Sequence, residues 1–205
     1  MLKKFLFFAF LAAGGLHAST IVSVSDPAAV GGLVIISTIE AVSWTMPFAA
    51  TNVTISATVY QNTQGAFINA SLAASTGPGT VPIATVTTPA GQTPLGDVVL
   101  FSGLSLAAGT YYMALNGRNS VWISSTTPTE LLAPGVTYQG DLFANGANGV
   151  PDFSNLSAST FVAGTSHQLF TVTGDSAVPE PGTAGLMLGG GIAFAAMIRR
   201  KLAKS

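Results

Sequence analysis

Hydrolytic chemistry is most often built from histidine, carboxylates and serine, and this chain holds few candidates. His17 and His167 are its only histidines. His17 lies in a segment expected to be removed, which leaves His167 as the one imidazole. A Ser-His-Asp triad would need it as the base. Its neighbour Ser166 would point to the opposite face of a strand, and no G-x-S-x-G turn occurs. One imidazole cannot assemble a histidine metal site. Because the chain has no cysteine, thiol catalysis, thiolate ligands and disulfides are excluded. The reading is a protein with no catalytic residue, no metal and no cofactor.

Other groups deserve the same scrutiny. Between Ser19 and Val178 stand the acids Asp26, Glu40, Asp97, Glu130, Asp141, Asp152 and Asp175. Two carboxylates about 5–10 Å apart suffice for glycoside hydrolysis, so an acid-pair hydrolase stays open as a remote alternative. None of the seven sits in a recognisable motif, and most lie beside turn residues, where Asp caps and solubilises. Asp141, Asn145, Asn148 and Asp152 crowd the Gly-rich stretch 140–152. An oxygen-rich loop can hold calcium, but the spacing fits no EF-hand. Trp44, Trp122, Tyr60, Tyr111, Tyr112 and Tyr138 could stack on sugars. Tyr111 and Tyr112 are adjacent on an expected strand, so one must face outward. They are the candidate sugar contacts of a carbohydrate-binding module. Sequons stand at Asn52, Asn69 and Asn155, as often expected by chance in a Ser/Thr-rich chain.

Charge narrows the partners. Only 7% of the 205 residues are charged, against about 25% in ordinary soluble domains. Lys3 and Lys4 open the chain, Arg199, Arg200, Lys201 and Lys204 close it, and only Arg118 lies between. The stretch from Ser19 to Val178 therefore has one cation against seven acids, a net of −6. A row of phosphates cannot be neutralised by one arginine, so nucleic acid is excluded as a partner.

The two ends read as address labels. Lys3-Lys4, the apolar run from Phe5 to Ala13 and the small residues up to Leu16-His17-Ala18 form an export signal. Cleavage is expected after Ala18, with a site after Gly15 as second choice, so residues 1–18 are the signal peptide. At the other end, a linker over 176–181 contains Pro179-Glu180-Pro181. An apolar stretch of 17 residues follows over 182–198, at the short edge of what spans a bilayer as a helix. Arg199, Arg200 and Lys201 then act as a membrane stop signal in a basic tail, 199–205, that stays cytoplasmic. Gly185 and Gly189 form a G-x-x-x-G that glycine content alone makes common.

Pro179-Glu180-Pro181, a short Gly-rich apolar segment and a terminal Arg/Lys cluster resemble the PEP-CTERM sorting signal of Gram-negative bacteria. The signal peptide is the partner feature that family also carries. The likeness covers about the last 27 residues, Pro179 to Ser205, and nothing of the body. It implies recognition at the Pro-Glu-Pro motif by a membrane-embedded exosortase with a cysteine-protease-like site. The implied route is inner-membrane anchoring, then processing and delivery to the cell surface or the outside. The implied partners are exosortase, membrane lipid and exopolysaccharide, in a biofilm setting. An ordinary proline-stalked anchor is the alternative, with the same topology but a helix that persists.

Between the ends, 19–175 reads as one β domain. Val53, Ile55, Ala57 and Val59 alternate with Thr54, Ser56 and Thr58, a period of two. Further strands are expected over 33–39, 67–73, 81–87, 98–101, 110–115, 121–124, 136–143 and 168–173. Pro82 should confine its strand to an edge or a bulge. Asn116-Gly117 predicts a two-residue hairpin turn joining 110–115 to 121–124. Many short strands with regular turns predict an all-β, jelly-roll-like sandwich. Leu104 to Tyr112 resembles the L-x-x-G-x-Y-Y strand of many exported bacterial β-sandwiches. Phe170 to Gly174 resembles their usual last strand.

Overall fold

The computed structural model describes residues 18–34, 38–61, 66–88, 95–145, 151, 153, 156 and 166–176. The chain divides into two compact units, and every described residue lies in the one spanning His17–Ala177. The signal peptide, residues 182–198 and the basic tail lie outside the described residues. No helix among the described residues is long and apolar enough to cross a membrane.

The fold is all-β. In chain order the strands are β1 (Ala18–Ser25), β2 (Gly32–Val34), β3 (Thr38–Met46), β4 (Ala50–Gln61), β5 (Phe67–Ala73), β6 (Ala84–Thr88) and β7 (Gly96–Leu106). They continue with β8 (Gly109–Arg118), β9 (Ser120–Ser125), β10 (Thr129–Leu132), β11 (Thr137–Asn145), β12 (His167–Gln168) and β13 (Phe170–Ser176). Among the described residues one sheet has eight strands, in the order β10-β1-β13-β4-β9-β12, with β2 on β9 and β7 on β4. The other has five, in the order β11-β3-β8-β5-β6. The strand expected over 33–39 is divided between β2, in the first sheet, and β3, in the second. β1 and β10 carry no clean apolar run and escape a periodicity reading.

Alternation explains the layering. In β4, Val53, Ile55, Ala57 and Val59 are fully buried while Thr54, Ser56 and Thr58 are half-exposed on the other face. β3 sends Val42, Trp44 and Met46 inward, and β8 sends Tyr111, Met113 and Leu115. These meet Ile55, Trp122, Phe170 and Val172 of the first sheet in one apolar core. Trp44 is its centre, stacked on Tyr111 with ring centroids 5.9 Å apart and tilted against Phe170 at 5.8 Å. A smaller cluster covers the outer face of the five-stranded sheet, where Phe153 and Leu156 pack on Ile39, Ala41, Ala114 and Leu142.

Asn116-Gly117 is not a hairpin turn. Both residues lie within β8, and β8 and β9 belong to different sheets. The chain changes layer at one residue, Asn119, whose φ of 52° is a left-handed conformation that Asn tolerates. The local turn preference lost to the pairing of Asn116 with Asn69 and Gly117 with Ile68 across β5. Pro82 precedes β6, which is an edge strand of its sheet.

Candidate functional site

A polar cluster lies where β11 of one sheet meets β12 of the other. A β-bulge creates it. The register of β11 against β3 shifts between Tyr138 and Gly140, and Gly140 has φ 105°, open to glycine but not to other residues. Tyr138 and Asp141 stand three positions apart and would otherwise face opposite sides. With the extra residue both turn inward: Tyr138 packs against the core and its hydroxyl donates to Asp141 Oδ1 at 3.0 Å.

Asp141 collects further donors. The Gln168 backbone N–H reaches Oδ1 at 3.0 Å, and His167 Nδ1 lies 3.1 Å from Oδ2. Tyr138 also meets the His167 ring edge-on, with centroids 5.7 Å apart. Asp141 is 3% exposed, whereas the His167 side chain is 32% exposed, so the imidazole bridges surface and interior. Burial pushes the Asp141 carboxyl up, against the lowering effect of Gln168, Tyr138 and His167. Glu40 on β3 is 1% exposed, and its Oε2 has no hydrogen-bond partner among the described residues. Burial, reinforced by the charge of Asp141, pushes it up to about 8. At neutral pH it is therefore mostly a neutral acid.

The sequence placed acids beside turns. Glu40 and Asp141 instead stand inside the sandwich, because their strands' alternation points them there. Asp141 is consequently a buried strand residue and not part of a calcium loop; Asn148 and Asp152 lie outside the described residues. Among the described residues no group of three or more acids and histidines could hold a metal ion. The missed signal was the odd spacing of Tyr138 and Asp141 around Gly140.

The Asp141–His167 pair has the geometry that orients an imidazole in a hydrolase. The hydroxyl opposite His167 in the ladder, that of Ser125, donates instead to Asp26 Oδ2 at 2.6 Å. That bond and the Ala28 N–H lower the Asp26 pKa. Asp26, Gly31, Ser124, Ser125, Thr127 and Ser166 line an open cleft of about 410 Å³ beside the cluster. The arrangement ties two layers together, and the Ser125 hydroxyl is buried and held by Asp26 and the Thr127 N–H.

The predicted sugar contacts separate. Tyr111 is 5% exposed, stacked on Trp44, and its hydroxyl donates to the Ala107 carbonyl at 2.7 Å. It is a tyrosine corner, which pins a strand to the connection before it, and presents no stacking face. Tyr112 points to the other side of the sheet, half-buried against the Phe153 cluster. Among the described residues the exposed aromatic is Tyr60, at 40%. Of the sequons, Asn69 is buried and accepts from Thr87 at 2.7 Å, while Asn52 is exposed and donates to Asp175 at 2.7 Å; Asn155 lies outside the described residues. Ala18, the expected cleavage residue, opens β1. Pro179, Glu180, Pro181, Arg199, Arg200 and Lys201 lie outside the described residues.

No curated protein and no solved structure matches the chain. Residues 177–201 match the PEP-CTERM protein-sorting motif, a segment that begins where β13 ends, at Ser176. This chain carries a PEP-CTERM protein-sorting motif, which marks it for export and for sorting by an exosortase.

Proposed function

We propose that the protein is a non-catalytic component of the cell surface or extracellular matrix, associated with exopolysaccharide in a biofilm. In this reading the signal peptide leaves after Ala18, and a membrane helix over 182–198 holds the chain until the exosortase acts near Pro179-Glu180-Pro181. The jelly-roll-like body is then released or re-anchored outside. The observation that carries the reading is the position of the sorting motif. It starts one residue after the last described strand, so every described strand lies upstream as a single cargo. The role is that of scaffold and adhesive: the acids shifted toward neutrality, Glu40 and Asp141, are enclosed between the sheets.

The test is intact-mass measurement of the protein from membranes and from medium, in cells with and without exosortase. The expected result is a product that begins near Ser19 and ends near the motif, found outside only when exosortase is present. An unchanged mass and location after exosortase deletion would overturn the sorting half. Hydrolysis of any polysaccharide by the purified protein would overturn the non-catalytic half.

A further inference from the structure

The outer face of the eight-stranded sheet is a lattice of hydroxyls. Pairing registers place Ser23 beside Thr171, Thr171 beside Ser56, and Ser56 beside Val99, with Leu131 on the other flank of Ser23. The next row aligns Thr20, Thr173 and Thr54. Toward the other end Thr58 lies beside Asp97, and Tyr60 follows on the same face of β4. Neighbouring residues on these strands, Val22, Val24, Ile55, Ala57, Phe170 and Val172, are buried in the core, which fixes the outward direction of the hydroxyls.

We propose that this face, with Tyr60 as its stacking platform, binds a neutral polysaccharide chain. The inference rests on the exopolysaccharide reading above and gives it a site. Three features select the ligand. First, each hydroxyl both donates and accepts, and they recur about every 4.8 Å across strands and about every 6.7 Å along them. Ser23 and Thr171 bond one another at 3.1 Å and Thr58 donates to Asp97 at 2.6 Å, so a repeating polyhydroxylated polymer answers the lattice through the remaining donor and acceptor positions. The β-branch of threonine restricts its χ1, so less freedom is lost on binding. Second, the face carries no cation: Arg118, the one Lys or Arg among the described residues, belongs to the five-stranded sheet. Its bordering carboxylates, Asp97 and Asp175, would repel an anionic polymer. Third, Tyr60 is 40% exposed, and Leu131 and Val99 are 59% and 58% exposed at the two ends of the Ser23 row. Aromatic and aliphatic surface beside hydroxyls suits the C–H faces of sugar rings.

The test uses the full chain in detergent, incubated with insoluble cellulose and chitin as neutral probes and with immobilised alginate as an anionic one. Binding to a neutral probe is expected. Tyr60→Ala should weaken it by about tenfold or more, and the triple variant Thr54→Val, Ser56→Ala, Thr58→Val should abolish it. Thr→Val keeps the β-branch that the strand favours, and a thermal melt confirms that each variant is folded. Thr85→Val, on the other sheet, should bind as wild type. No binding to either neutral probe, binding to alginate alone, or neutral binding untouched by the face variants would each overturn the proposal. Sorting is read separately from the protein's compartment. A chain that reaches the surface yet binds neither neutral probe sinks this inference and leaves the sorting reading standing.

Discussion

Glu40 sets an unusual pH dependence. Its carboxyl titrates at about 8 in the folded protein, against 4.5 for the ordinary group. A raised value means that the folded state holds the proton while the unfolded chain releases it. Stability is then fullest below about pH 4.5 on account of this group, and it declines as pH climbs toward 8. Asp141 is shifted the same way, whereas the lowered Asp26 works in the opposite sense only at strongly acid pH. Thermal unfolding at pH 5.5 and pH 8.5 should therefore show the wild type more stable at the lower value. Glu40→Gln should flatten that difference and raise stability at the higher pH by on the order of 1–3 kcal/mol. A Gln variant that melts earlier than wild type at alkaline pH would contradict the buried neutral acid. Tyr111 offers a second residue-scale check. Tyr111→Phe keeps the stack on Trp44 but orphans the Ala107 carbonyl, with an expected loss of about 1 kcal/mol in denaturant unfolding.

Elements are positioned here by single backbone irregularities. The bulge at Gly140 decides which β11 side chains reach the interior. Gly140→Val would hold a β-branched residue at φ 105°, a conformation that costs about 1–3 kcal/mol. It should also move Tyr138 or Asp141 out of the cluster. The measurement is the unfolding free energy alongside the His167 imidazole resonances by NMR, which should lose their coupling to Asp141. A variant with wild-type stability and unchanged imidazole resonances would show that the bulge is not what aims the pair. Asn119 acts similarly at the crossing from β8 to β9, where one left-handed residue replaces the hairpin that Asn-Gly alone would suggest.

At the scale of the molecule, the first and last described strands are neighbours. β13 lies between β1 and β4: Phe170 to Asp175 pair with β1, and the strand pairs with β4 from Phe170 to Ser176. The sandwich therefore cannot close until the residues just before the sorting motif are in place, and such non-local pairing folds slowly. This constrains processing: a cut upstream of Ser176 would strip a central strand. The mature product should retain Ser176 at its C-terminal end by mass spectrometry. Glu180→Ala should leave the melt of the body unchanged while the chain accumulates unprocessed in the membrane. Normal processing of that variant would locate recognition elsewhere in the tail.

The sorting motif was legible in the sequence because its information is local: residue types, order and position near the chain's end suffice for a partner to read them. β4 was legible for a related reason, since alternation over one short segment already states which face is buried. The hydroxyls of Thr54, Ser56 and Thr58 were visible as the polar half of that alternation. Their alignment with Ser23, Thr171 and Thr173 was not, because register joins strands more than a hundred residues apart in sequence. The same holds for the cluster around Asp141. Its partners come from three strands in two sheets, and nothing near Asp141 announces that a bulge will turn it inward. Tyr111 and Tyr112 could be assigned to opposite faces from their adjacency alone. Which face would be covered, and by Trp44 or by Phe153, depended on how the layers stacked, and packing between distant segments is what a linear pattern does not contain.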